Sequence, residues 1–244
     1  MISKHLLVDP LSAVGFNKKS CKLQKRYRTL RVTTNNNNDM SENNSDDNNN
    51  NNDDSDEFTY LFNGHSIDGW RMAGPGKFVL VEYDNSLQSQ GGMGLLWYTK
   101  KKYKDFILKL DWKVSRRNDN SGVFIRFSNP DNDPMIAVNT GYEIQIDDMA
   151  MPDGNPLHKT GAIYNFAGPL NAQAPSKPVG QWNTFEIEVT GQKYSGTLNG
   201  EKVIPEFTGN RLTEGYIGIQ NHDEDSHVSF KNIRIKEKQK IGDY

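Results

Sequence analysis

Residues 141–147 read GYEIQID, and this stretch decides the fold because apolar and polar side chains alternate along it. Successive side chains of a β-strand point to opposite faces. The tyrosine and the two isoleucines therefore share one face, while Glu143, Gln145 and Asp147 share the other. Such a strand packs one face against a core and presents chemically active groups on the other.

Two more stretches repeat the pattern. Residues 120–126 read NSGVFIR and residues 216–222 read YIGIQNH. Alternation sets Arg126 opposite the β-branched residues of its strand, and it sets Gln220 and His222 on one face. The three polar faces thus collect carboxylate, amide, guanidinium and imidazole groups, which suit sugar binding or acid–base chemistry. The sequence predicts a functional sheet face.

Residues 58–237 consist of short alternating runs separated by Gly, Asn, Asp and Pro. Residues 105–114 alternate over a full strand, and Asn199-Gly200 is typical of a type I′ hairpin turn. Eleven to thirteen strand candidates and no convincing amphipathic helix predict an all-β sandwich or barrel. A domain of this length favours large sheets, one of which can curve and expose a concave polar face. The long polar stretch 148–176 is predicted to form a wall of the site.

The region before this domain has a different composition. Residues 1–34 hold eight Lys or Arg and one acid, a net charge of +7, and residues 35–57 hold eight acids and no base. The second segment is rich in Asn and almost devoid of apolar side chains, so it cannot offset the entropy of ordering. We expect residues 1–57 to be a disordered basic arm and linker, residues 58–237 the folded domain, and residues 238–244 a tail.

Composition limits the function classes. The remaining 21 bases and 22 acids leave the domain close to neutral, which does not indicate nucleic-acid binding. The single cysteine, Cys21, excludes an intramolecular disulfide framework. The sequence contains no run of about 18 apolar residues, so no transmembrane segment is predicted. Asp9 and Pro10 interrupt what would be the apolar core of a signal peptide.

The domain resembles the 3-keto-disaccharide hydrolase domain family, whose motifs occur here in order. They are residues 61–64 and 68–70, 103–108, 120–126, 141–147, 160–164, 180–184, 198–200, 218–222 and 230–235. The resemblance implies a concanavalin A-like jelly-roll β-sandwich that cleaves glycosides whose sugar carries a ketone at C3. It also implies an extracellular or periplasmic protein, although the N-terminus shows no clear signal and a cytoplasmic location stays open.

The implied chemistry needs a base near C2, a group that stabilises the enolate oxygen and an acid for the leaving group. Glu143 is the candidate base, Arg126 the candidate enolate partner and His222 the candidate acid or base. A divalent cation could replace the enolate partner, with Glu143 and Asp147 as candidate ligands, but no cofactor is certain. The substrate is expected to be a carbohydrate. Candidates for contact with it are Asn120, Gln145, Gln220, Tyr164 and, by stacking, Trp97.

Two other functions stay open at this point. A conventional glucanase that retains configuration needs two carboxyl groups about 5–5.5 Å apart. Glu143 and Asp147 lie four residues apart on one strand, about 13 Å between Cα atoms, with an amide at Gln145 between them. The other alternative is a non-catalytic carbohydrate-binding module, because fold does not decide function. The substitution Glu143→Gln distinguishes a binding module from an enzyme, since a binding module would keep its sugar affinity and an enzyme would lose turnover.

Overall fold

The computed structural model describes residues 57–171 and 176–238 and the backbone of residues 27–28. Fourteen strands form two antiparallel sheets. The larger has the order β1-β4-β5-β14-β7-β10-β11-β12, with β2 also paired to β14. Its strands are β1 (Tyr27–Arg28), β2 (Thr59–Phe62), β4 (Lys77–Val81), β5 (Ser86–Gln90), β7 (Phe106–Val114), β10 (Asn183–Thr190), β11 (Lys193–Leu198), β12 (Glu201–Thr208) and β14 (Val228–Glu237).

The smaller sheet has five strands in the order β3-β6-β13-β8-β9. They are β3 (Trp70–Ala73), β6 (Gly94–Tyr103), β8 (Ser121–Phe127), β9 (Tyr142–Ile146) and β13 (Gly215–Asn221). The three stretches that carry the polar faces are therefore neighbours: β8 lies between β9 and β13. The all-β sandwich expected from the sequence is confirmed.

The core lies between the two sheets and follows the alternation of the sequence. Along β7, buried and half-buried residues alternate without a break from Phe106 to Val114. From the smaller sheet, Val123, Ile144 and Ile219 belong to the same core. The residues that alternate with them along each strand therefore face outward. This leaves the polar face of β9 available for a site.

One helix departs from the expectation of an all-strand domain. Residues Met135–Thr140 form a helix, α1, and Pro156–His158 form a single turn of 3-10 helix. Six residues are too few to show a helical period, and no side chain caps the N-terminus of α1. The helix packs through Ala137 on a second apolar cluster at the outer face of the smaller sheet, with Leu95, Phe124 and Phe127.

Two β-bulges also depart from simple alternation. Arg126 has φ +52°, and the pairing of β8 with β13 shifts there, since Phe127 pairs with Tyr216 and Ile125 with Ile217. Asn232 has φ +52°, and the pairing of β14 with β7 shifts there, between Lys231 and Arg234. A bulge adds one residue to one strand and so reverses the faces beyond it.

The predicted disorder of residues 1–57 falls almost wholly outside the described residues, as does most of the tail. Tyr27 and Arg28 are the exception, because their backbone pairs with the edge of β4. No helix among the described residues is both long enough and apolar enough to cross a membrane.

Candidate active site

A pocket of about 390 Å³ lies on the outer face of the smaller sheet, between α1 and the loop that follows β9. Most side chains proposed from the sequence line it: Asn120, Glu143, Gln145, Asp147, Tyr164, Gln220 and His222. They come from three adjacent strands and their connections. Arg126 and Trp97 are not among the lining residues.

The floor of the pocket is set by strand register. Gln145 on β9 pairs with Gly122 on β8. On the other side of β8, Gln220 lies one residue beyond the Ile219–Val123 pair of β13. Two amide side chains therefore flank a glycine. A Cβ at Gly122 would lie 2.0 Å from Glu143 Oε1, so the absence of a side chain is what gives the carboxyl group its place.

Glu143 is a buried acid, and no described residue forms an ion pair with it. It is 6% exposed, and its Oε1 atom has no hydrogen-bond partner among the described residues. Burial raises the pKa of Glu143 to about 8, because the charged form is poorly solvated. At neutral pH most of the group is protonated, and the ionised form is a stronger base than an exposed carboxylate.

Two other acceptors on the floor also lack partners. Gln145 Oε1 and Gln220 Oε1 are buried and accept no hydrogen bond within the described residues. A native interior normally satisfies such atoms. Three unpaired acceptors on one floor therefore fit a ligand that brings its own donors, such as the hydroxyl groups of a sugar.

Asp147 is bound to the protein rather than free for chemistry. Its Oδ1 atom accepts the backbone N–H groups of Met149 at 3.0 Å and Ala150 at 2.7 Å. Its Oδ2 atom accepts Asn120 Nδ2 at 3.1 Å, and Asn120 Oδ1 in turn accepts Gln145 Nε2 at 3.2 Å. Burial raises the pKa of Asp147, and the two backbone hydrogen bonds oppose that rise. The network fixes the orientation of Gln145.

His222 stands at the rim, next to the end of β13. Its Nδ1 atom lies 2.7 Å from Asp223 Oδ2. Burial works to raise the pKa of Asp223, but hydrogen bonds from His222 and Ser226 outweigh it and lower the pKa. The carboxylate that results holds the imidazole in one orientation, with Nδ1 bound and Nε2 left to meet a substrate.

The loop after β9 forms the wall of the pocket across from α1. His158 stacks on Tyr164 with ring centroids 4.7 Å apart, and its Nε2 atom lies 2.8 Å from Asn165 Oδ1. The loop is tied to the edge of β9, because Gln145 N donates to Ala162 O and Tyr164 N donates to Glu143 O, both at 3.0 Å. The expected wall is present in the described part of this loop.

Arg126 needs a correction. Its guanidinium is fully buried and lies away from the pocket: Nε donates to Lys104 O at 2.8 Å, and Nη2 pairs with Asp105 Oδ1 at 3.0 Å. The bulge at Arg126 is the reason, since it turns the side chain off the polar face toward Tyr194, 3.1 Å away on the other sheet. Arg126 neither meets Glu143 nor reaches a substrate in this pocket.

Trp97 also lies elsewhere. It is 3% exposed, belongs to the second apolar cluster and meets Tyr216 edge-on at 4.8 Å between ring centroids. Other side chains cover this part of the sheet. It cannot stack on a sugar in this pocket.

Several lining residues were missed by sequence reasoning. His158 carries no motif around it, yet the loop brings it to the wall. Asp223 follows His222 directly, and an acid beside a strand-end histidine was the available signal. Met93, Met135 and Met151 also line the pocket, and nothing in their separate sequence contexts predicts that they meet.

A cation site does not follow from these donors. Within residues 57–171 and 176–238, no three His, Cys, Asp or Glu side chains are grouped to hold a metal ion. Asp147 is occupied by two backbone N–H groups and Asn120, and Glu143 is separated from it by Gln145. The donor set therefore does not fit a metal.

A larger groove of about 480 Å³ lies along β10, β11 and β12 on the larger sheet. Two of its three carboxylates, Glu186 and Glu188, already form ion pairs with Lys109 and Lys238. None of the buried, unpaired polar atoms of the described residues lies in it. This groove is larger, but the convergent polar groups that mark a binding site lie in the pocket over β9.

The domain is similar in sequence to known proteins. Residues 57–236 match the profile of the 3-keto-alpha-glucoside-1,2-lyase-like domain. A 3-keto-disaccharide hydrolase of Bacteroides thetaiotaomicron is 27% identical, over 75% of this chain and 79% of that protein.

Solved structures show the same fold. A crystal structure from Parabacteroides distasonis, named as a candidate glycosyl hydrolase, is 25% identical with a TM-score of 0.61, over 75% of this chain and 94% of that one. A second such structure from that organism is 26% identical with a TM-score of 0.60, over 75% and 100%. The exoplasmic domain of VIP36, bound to Ca²⁺ and a mannose oligosaccharide, shares the fold at 8% identity and TM-score 0.53, over 77% and 93%.

Proposed function

The chain belongs to the 3-keto-alpha-glucoside-1,2-lyase-like domain family, and from that premise we propose that it cleaves 3-keto-glycosides by elimination at C1 followed by hydration. The observation that carries the proposal is the buried carboxyl group of Glu143, unpaired on the floor of a pocket that offers two further unpaired acceptors. A base of raised pKa is what removal of a carbon-bound proton requires.

The first step uses the ketone to acidify C2. Glu143 takes the C2 proton, and the electrons of the C–H bond form an enolate with its charge on the C3 oxygen. Tyr164 and the Gln220 amide line the same pocket and are the donors we assign to that oxygen. Gln145, held by Asn120, receives a sugar hydroxyl group.

The second step expels the leaving group. The enolate re-forms the ketone, the C1–C2 double bond forms and the C1–O bond breaks. His222, oriented by Asp223, gives a proton to the departing oxygen. Water then adds its oxygen to C1 and gives its proton to His222, while Glu143 returns a proton to C2. The net reaction is hydrolysis, and both groups are regenerated.

Turnover of a 4-nitrophenyl 3-keto-glucoside beside its unoxidised parent tests the proposal. We expect release of nitrophenol from the keto substrate alone and a slower rate when C2 carries deuterium. Glu143→Gln should lower kcat by at least about 100-fold, in line with the usual worth of a general base. Glu214→Gln, at an exposed carboxylate, is the matched control.

Other outcomes point elsewhere. Release from the parent as well would indicate an ordinary glycosidase. Sugar binding that survives Glu143→Gln, without release from either substrate, would indicate a carbohydrate-binding protein. Loss of turnover on chelation would show a cation in the reaction.

A further inference from the structure

Exposed methionines gather at the mouth of the pocket. Among the described residues four methionines count as exposed large hydrophobics, and three of them, Met93, Met135 and Met151, line this pocket. Their exposed fractions are 42%, 40% and 61%. They come from three separate segments: the β5–β6 turn, the start of α1 and the loop after β9.

The methionine side chains are apolar, whereas the floor of the pocket is polar. Glu143, Gln145 and Gln220 present the unpaired acceptors, whereas Val138 of α1 extends the apolar lining beside Met135. A small recess next to Met93 and Met135 is backed by Leu95 and Phe124. The pocket thus changes from hydrogen-bonding groups at the sheet to apolar groups at the opening.

Such exposure is informative because water disfavours it. Contiguous apolar surface on a soluble protein usually marks a binding site. Methionine is unbranched and polarisable, so it adapts to apolar partners of varied shape. A second sugar would present hydroxyl groups to these side chains and would leave their apolar area without a matching partner.

We propose that the methionine rim, defined as Met93, Met135 and Met151, binds an apolar aglycone, so that this chain prefers 3-keto-glycosides of hydrophobic alcohols or phenols over 3-keto-disaccharides. The inference rests on the proposed function. The keto-sugar ring lies on the polar floor, and its C1 substituent points out between α1 and the loop.

A series of alkyl 3-keto-glucosides, from methyl to hexyl, tests the inference. Their leaving alcohols are chemically alike, so changes in kcat/KM report contact with the chain rather than leaving-group ability. We expect kcat/KM to rise about two- to fourfold per methylene, where fourfold corresponds to complete burial. The 3-keto-disaccharide with a glucose leaving group should fall below the butyl compound.

Variants assign the effect to the rim. Met93→Gln combined with Met135→Gln should lower the butyl-to-methyl ratio of kcat/KM at least threefold, and Met151→Gln should lower it on its own. Met149→Gln is the control, since Met149 is 37% exposed in the same loop but does not line the pocket. It should keep the wild-type ratio, and circular dichroism checks that each variant is folded.

The outcomes separate the two proposals. Turnover that does not change with chain length would overturn the apolar aglycone while leaving the proposed function intact. A rise that is the same in the rim variants would overturn the assignment to these methionines. No turnover of any keto-glucoside, in a folded protein, would overturn the proposed function and this inference with it.

Discussion

At the scale of single residues, Glu143 and Gly122 define one unit. The strand order places them on adjacent strands, and the carboxyl group occupies the space that a side chain at Gly122 would fill. A base that lacks a counter-charge must be held by the shape of its surroundings, and here a glycine provides that shape.

Gly122→Ala tests the unit. The new methyl group would lie 2.0 Å from Glu143 Oε1 and 2.7 Å from its Cδ atom, so the carboxyl group must move. We expect kcat to fall at least about tenfold, because displacement of a catalytic group by 1 Å costs up to 100-fold. Gly168→Ala, where the nearest atoms are 3.4 Å away, is the control and should keep the wild-type rate.

The pH dependence of activity follows from the raised pKa of Glu143. Only the ionised form accepts a proton, so kcat/KM should rise with pH up to about 8. An initial-rate profile from pH 5.5 to 9.5 measures it. A profile that levels off near pH 5 would contradict the assignment of Glu143 as the base.

The free energy of unfolding should also depend on the ionisation of Glu143, but it should fall as pH rises. The pKa of Glu143 is about 8 in the folded chain against an ordinary value of 4.5, so the folded state binds the proton more tightly. Its contribution to stability is present below pH 4.5 and is lost as pH rises through about 8. Glu143→Gln should therefore gain roughly 1–3 kcal/mol relative to wild type at pH 9 and little at pH 5, measured by urea unfolding.

At the scale of the elements, alternation predicts the strands well. It identifies the core face of β7 and the polar face of β9, because burial on one face leaves a period of two in the sequence. It fails at Arg126 and Asn232, where positive φ angles accompany bulges. Neither residue type announces a bulge, and the face of every side chain at or beyond it depends on that one extra residue.

The candidate site residues show the same difference between regular strands and the rest of the fold. Residues on unbroken strands, such as Gln145 and Gln220, line the pocket as predicted. Those that arrive on connections, such as His158 and Met135, require knowledge of how loops and a short helix fold over the sheet. Trp97 lies on the outer face of the smaller sheet but is covered by other side chains, and packing above a sheet is a tertiary property.

Arg126→Met should act on folding rather than on the chemistry. The change leaves Asp105 without its charged partner and removes a hydrogen bond to Tyr194. We expect a loss of about 3 kcal/mol or more in urea unfolding, the usual result of breaking a buried ion pair. Lys101→Met breaks an exposed pair with Glu237 and should cost less than about 1 kcal/mol. Normal stability with lost turnover would return Arg126 to the active site.

At the scale of the whole molecule, the pocket belongs to one sheet of the sandwich and its coverings. Every lining residue lies between Met93 and His222, inside the folded domain. The basic and acidic segments, residues 1–34 and 35–57, come before this part of the sequence. Their strong opposite charges, +7 and −8, leave the domain itself nearly neutral.

A chain restricted to residues 57–238 should therefore keep kcat and KM within about twofold, because the lining stays complete. It loses the pairing of Tyr27 and Arg28 with β4, which exposes a strand edge and favours self-association. Steady-state assays and light scattering measure the two effects. A kcat reduced tenfold in a folded, monomeric product would show that the extension contributes to the site.

The attachment of the long loop to β9 has a consequence for how such a protein diversifies. Residues 160–164 are hydrogen-bonded to the strand that carries Glu143, whereas Met151 and its neighbours extend beyond that attachment. Insertions and substitutions in residues 149–157 can accumulate over generations without moving the base. Proteins that descend from one ancestor can therefore keep the same reaction and change the substrates on which they act.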